Sequence, residues 1–108
     1  MEISKNDWKL FRENLAEWQE NYMERLNKEY IALLSADDKN ASDKFWELEK
    51  RINKDKKHLG VIMEMSKSEA IWNIVDLIRL DVIAYEDLAD FSDDLKQAVK
   101  MIFDRNRG

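Results

Sequence analysis

The sequence predicts an all-α fold, and three observations carry that expectation. The 108 residues include no proline and only two glycines, Gly60 and Gly108, whereas strand-rich folds need many tight turns built from both. Apolar residues recur at spacings of three and four over long stretches, which is the period of one helix face. Capping-box patterns, Ser4-Lys-Asn-Asp7 and Ser66-Lys-Ser-Glu69, stand where two such stretches begin. The expected architecture is a long antiparallel helical hairpin packed against a C-terminal cluster of two to three shorter helices. It forms a single domain over residues 1–108, with helices at about 5–34, 42–58, 67–80, 85–90 and 93–105.

The first helix follows from Trp8, Phe11, Leu15, Trp18, Tyr22, Leu26, Tyr30 and Leu33, one apolar stripe close to a heptad seam. At about 1.5 Å per residue it is roughly 45 Å long. A compact domain of about 100 residues has a radius of gyration near 13 Å, hence a diameter of roughly 34 Å. The helix therefore needs a second long helix along it, or a second protomer. "SADDKNAS" breaks it. The next helix places Phe45, Leu48, Ile52 and Leu59 on one face, with Gly60 as its C-terminal stop. "VIMEM" reads as an extended connector. The helix opened by the Ser66 box is apolar nearly all round, which marks it as central. A short helix near Tyr85 leads to Ser92, the expected cap of the last helix. Asp93 and Asp94 in its first turn and Arg105 near its end suit the helix dipole.

Composition narrows the function classes. Charged residues make up 38% and hydrophobic residues 44% of a chain with net charge −5, a balance that fits a soluble helical protein and is too apolar for disorder. No cysteine means no disulfide framework and no thiolate metal site, in keeping with a cytoplasmic location. "MEISKNDWKL" does not read as a signal peptide. The longest nearly apolar run, "AIWNIV", is far short of the roughly 20 residues of a membrane span.

Three patterns imitate chemistry. Asp38, Asn40, Ser42 and Glu49 fall at the first, third, fifth and twelfth positions of a calcium loop, but Asp43 occupies the glycine position, so a polar turn is expected. Glu13, Glu17, Glu20 and Glu24 line one side of the first helix, opposite its apolar stripe, and read as solvated surface. His58 is the sole histidine, which excludes a catalytic triad and a multi-histidine zinc site; it is expected to meet the terminal carbonyls of its helix. No catalytic, cofactor-binding or metal-ligating residue is assigned.

Surface composition offers more. Lys50, Arg51, Lys54, Lys56 and Lys57 concentrate positive charge in "KRINKDKKHLG", while "DVIAYEDLADFSDD", with Asp87, Asp90, Asp93 and Asp94, carries no base. The two runs are expected to offset one another, within a chain or between protomers, and not to grip phosphates, since phosphate binding goes with a basic domain and the pI is about 4.9. Trp46 and Trp72 sit roughly 100° from the main apolar faces of their helices, and Leu10 lies opposite the Trp8 stripe. These residues are the candidate interaction surface, since surface aromatics are enriched at partner contacts.

Residues 41–68, "ASDKFWELEKRINKDKKHLGVIMEMSKS", and 82–99, "VIAYEDLADFSDDLKQAV", resemble small uncharacterised all-helical proteins of gut-type Gram-positive bacteria, some of which bear the label "multidrug transporter". The resemblance extends over most of the length and implies a bacterial, cytoplasmic setting. It brings no catalytic residue with it. The transporter label conflicts with a chain so charged and without a spanning segment. The expected function is that of a non-enzymatic protein-interaction or regulatory domain with no cofactor, a protein partner, and self-association as a homodimer. The rival is a nucleic-acid-related regulator, either antitoxin-like or an acidic mimic of DNA.

Overall fold

The computed structural model describes residues 2–105, and among them every regular element is helical. Four α-helices run in the order α1 (Lys5–Ser35), α2 (Ala41–Asp55), α3 (Ala70–Arg79) and α4 (Asp93–Arg105), with 3₁₀ turns at Lys67–Glu69 and Tyr85–Leu88. The all-α expectation holds. The packing divides the chain into two compact units. A terminal unit takes in the chain up to Trp18 and from Glu64 onward, and a central unit is Gln19–Met63.

The terminal unit owns a conventional core. Phe11, Ile74, Val75, Leu77, Leu88 and Val99 are fully enclosed, and α3 packs on α4. Trp18 lies between Phe11 and Phe91, each ring centroid 6.2 Å away, and stacks on Phe91 at 29°. Half of the Ser4 capping box forms, since the Asp7 amide donates to Ser4 Oγ at 3.1 Å. The Asp7 carboxylate turns elsewhere. It is 2% exposed, and it accepts from the Ser92 amide at 2.9 Å and from the Ser92 hydroxyl at 2.5 Å. Ser92 Oγ in turn accepts the Leu95 amide at 3.2 Å, the α4 cap expected from the sequence. An acid from the first turn of α1 thus anchors the residue that caps α4.

The start of α3 departs from expectation, while its end falls where the pattern puts it. Ser66 forms no side-chain cap; its oxygen lies 3.0 Å from Ser68 Oγ, and the entry is a 3₁₀ turn in which the Glu69 amide bonds the Ser66 carbonyl. At the other end Asp81 adopts φ 60°. The Asp81 amide bonds the Ile78 carbonyl at 3.1 Å and the Val82 amide bonds the Leu77 carbonyl at 2.9 Å. That is a Schellman motif with aspartate in the left-handed position where glycine is usual.

In the central unit, the partners on α1 run from Leu34 near the start of α2 to Glu29 and Tyr30 near its end and Gln19 beyond it. Lys44 Nζ reaches the Leu34 carbonyl at 3.2 Å, and Arg51 meets Glu29 at 2.9 Å. The Tyr30 hydroxyl donates to Asp55 at 2.6 Å, and Gln19 Nε2 donates to the Leu59 carbonyl at 3.1 Å. α2 ends at Asp55, three residues before the expected stop, because the chain tightens into turns in which the His58 amide bonds the Asp55 carbonyl. His58 does not meet the helix carbonyls through its ring. Its Nδ1 accepts the Gly60 amide at 3.0 Å, and the ring stacks on Tyr22 at 4.7 Å and 10°.

Gly60 also serves a purpose other than the one expected. Its φ is not positive, so no left-handed stop is present. A Cβ placed there would lie 2.2 Å from Tyr22 Cδ2 and 2.5 Å from Cγ. Glycine is required because the backbone runs against the face of the Tyr22 ring.

Candidate interaction surface

α2 is the unusual element, for it buries none of its residues. The sequence places Phe45, Leu48 and Ile52 on a core face. Phe45 is instead 62% exposed and Ile52 42% exposed, while Leu48 is half-buried. The helix is amphipathic, and its only neighbour within the central unit covers one edge of the apolar arc.

Helical geometry shows which edge. Residues advance 100° per step, so Glu29 and Ile31 flank Tyr30 on opposite sides of α1. Arg51 pairs with Glu29 and caps the Tyr30 ring at 5.5 Å, which makes that side polar. Ile52, one step on, lies on the other side, and Phe45 is two turns below it, about 20° away. Ile31, 63% exposed, and Leu34, 47% exposed, project from α1 on the same side. Between the helices this flank sinks into a groove of about 230 Å³ lined by Met23, Leu26, Tyr30, Ile52, Lys56 and Val61 among others. The result is an apolar flank with open sides, the kind of contiguous patch that often serves binding.

The polar side is a lock. Tyr30 is pushed up to about 12, first by burial and then by its hydrogen bond to the Asp55 carboxylate. Burial also raises Tyr22, and the Asp55 charge adds to it. The bond to Glu29 raises Arg51. Arg51 lies 3.7 Å from Asp55 as well, so Glu29, Arg51, Tyr30 and Asp55 form one local network.

The residues singled out in the sequence separate into groups. Trp46 is exposed and meets the Phe45 ring edge-on, 4.9 Å and 87° apart. With Glu47, Lys50, Arg51 and Lys54 it lines one shallow recess of about 600 Å³. Lys50, Lys54, Lys56 and Lys57 are exposed, whereas Arg51 is occupied by Glu29 and Asp55. On the terminal unit Trp72 is exposed and Leu10 is half-buried, its carbonyl accepting from Asn14 Nδ2. Asp87 accepts the Ala84 amide at 2.8 Å, Asp93 pairs with Lys96 at 3.5 Å, and Asp90 and Asp94 are exposed. The ion pairs of Arg51 and of Asp93 therefore close inside their own units.

Phe45, Ile52, Ile31 and Leu34 are the surface residues that sequence reasoning missed. The available signal was Lys56, a charge lying about 20° from Phe45 in the supposed core arc. Among the described residues no group of three or more His, Asp or Glu converges as a metal site. Among them, too, no helix is long and apolar enough to cross a membrane. Compared with models of protein families, with curated proteins and with solved structures, the chain matches none of them.

Proposed function

We propose that this chain is a non-enzymatic protein-interaction domain of the cytosol, regulating or bridging other proteins through the apolar flank of an antiparallel helical hairpin. One observation carries the reading: α2 buries nothing while presenting Phe45, Trp46 and Ile52 to solvent. Such side chains supply most of the energy when a partner covers them, about 1.5–3 kcal/mol for each fully enclosed one. The flank opposite, with its Arg51–Glu29–Tyr30–Asp55 network, supports the same reading by holding the two helices in place without using the apolar side. The test is affinity capture from host cytosol with the wild type and with Phe45→Glu and Ile52→Glu forms of unchanged helicity. The substitutions should remove the captured proteins. An identical set in all three would sink the proposal.

A second reading has its own support. The recess joins exposed Trp46 to the exposed bases Lys50 and Lys54, with Glu47 in its lining engaged by Lys39, and an aromatic beside bases is the combination by which single-stranded nucleic acids are held. About two phosphate contacts, from Lys50 and Lys54, would give a log–log salt slope near −1.4 for a single strand. A titration with oligonucleotide at two salt concentrations decides it, and a flat response removes the reading.

A further inference from the structure

We propose that the apolar flank of the central unit is covered by a second copy of this chain, with α2 of one copy antiparallel to α2 of the other. The inference rests on the protein-interaction reading above and gives it an occupant. Charge pattern selects that occupant. Asp37 and Asp38 stand just before α2, and Lys56 and Lys57 stand just after it. All four are exposed, and none closes an ion pair among the described residues. Lys56 borders the groove beside Ile52. Antiparallel pairing sets the acidic end of each helix beside the basic end of its partner, twice over. Parallel pairing sets like against like.

The apolar spacing fits the same symmetry. Phe45 and Ile52 are seven residues apart, two turns on one arc. A two-fold axis midway between them lays Phe45 of each copy against Ile52 of the other, a self-complementary contact of the kind closed dimers use. Ile31 and Leu34 extend the contact from α1. Glu49, the acid of that arc, is engaged by Asn53 Nδ2 at 2.9 Å.

The size of the patch sets the strength. A buried aromatic contributes about 150–250 Å², so Phe45 at 62% exposure still offers roughly 100–150 Å² on that scale. With Ile31, Leu34 and Ile52 added, the apolar centre is a few hundred Å² per copy, below the roughly 800 Å² of a standard interface. The dimer is therefore weak, with a Kd in the micromolar range or above.

The test is sedimentation equilibrium of the full chain from micromolar to millimolar concentration at low salt. The wild type should show a reversible dimer. Phe45→Glu and Ile52→Glu should be monomeric with unchanged helicity, since both positions are open in the single chain. The pairs Asp37→Lys with Asp38→Lys, and Lys56→Glu with Lys57→Glu, should each weaken self-association about ten-fold. An equimolar mixture of the two reversed forms should recover it, and about 0.5 M salt should shrink all charge effects. A dimer that survives Phe45→Glu overturns the location. Reversed forms that pair as well as the wild type overturn the antiparallel order. A wild type monomeric throughout overturns self-pairing; if cytosolic capture still depends on Phe45, the interaction reading stands with another protein as occupant, and if it does not, both are overturned.

Discussion

Replacing Gly60 by alanine tests the reading of the central unit most directly, because two physical effects predict opposite signs. Gly60 has no positive φ, so on backbone grounds alone alanine should stabilise by about 0.4–1 kcal/mol through the unfolded chain. The Tyr22 ring argues the other way. The new Cβ would stand 2.2 Å from Cδ2 and 2.5 Å from Cγ, against about 3.5–4.0 Å for a comfortable carbon contact. Ring or backbone must give by more than about 1 Å. Cγ lies near the root of the side chain, so a small rotation of the ring cannot clear it. The ring is also held on its stack with His58 at 4.7 Å and under Arg25 at 5.0 Å. Overpacking of this kind costs about 1–3 kcal/mol, and losing the ring contacts adds about 1 kcal/mol. The net expectation is a loss of about 2–3 kcal/mol. That is a fall in Tm of about 10 °C or more for a chain of this size, measured by circular dichroism. In a Tyr22→Ala background the same substitution should be neutral or mildly stabilising. If Gly60→Ala raises Tm in the wild type, the close approach of ring and backbone is wrong.

Three further outcomes follow from the geometry. Asp81→Gly should be more stable than Asp81→Ala by about 1 kcal/mol in urea denaturation, because both lose the carboxylate and only alanine keeps a Cβ at φ 60°; equal stabilities would remove the left-handed assignment. Asp7→Ala should cost about 2–4 kcal/mol, since it leaves the Ser92 amide and hydroxyl without their buried charged acceptor, and the loss should be much smaller in a Ser92→Gly background. Tyr30 should titrate near 12 in the folded protein, followed by phenolate absorbance and identified by its absence in Tyr30→Phe. With the folded value above the ordinary 10, its contribution to stability is present below pH about 10 and fades as pH rises toward 12, and Asp55→Asn should bring the titration down.

The helices were legible because their signals are local. The stripe from Trp8 to Leu33 and the cap at Ser92 depend on neighbours three or four residues away, and α1 and α4 lie within a residue or so of where the pattern puts them. Errors arise where a residue's role depends on something distant. Gly60 looks like a helix stop, but its reason is a ring 38 positions earlier in the chain. Asp7 looks like one half of a capping box, but its carboxylate serves Ser92. The face of Phe45 and Ile52 shows the limit most clearly. Periodicity reveals that an arc is apolar, and it carries no information on whether anything covers it. The basic run illustrates the same point for charge, since Arg51 found one acid, Glu29, on the adjacent helix and another, Asp55, one turn on in its own.

The bond between Asp7 and Ser92 has a temporal side. It joins positions 85 residues apart, and closing a loop of that length costs about 4 kcal/mol of chain entropy before any contact repays it. A ribosome releases Asp7 long before Ser92 exists. For that interval the carboxylate waits without its partner at the start of a segment whose residues are already made, and α4 is the last element able to begin. The final helix therefore has the anchor for its cap made long before its own residues arrive, and the closing contact forms late. Amide exchange at Ser92 and Leu95 should accordingly report the opening of the whole terminal unit, slow while Asp7 is in place and fast once it is removed.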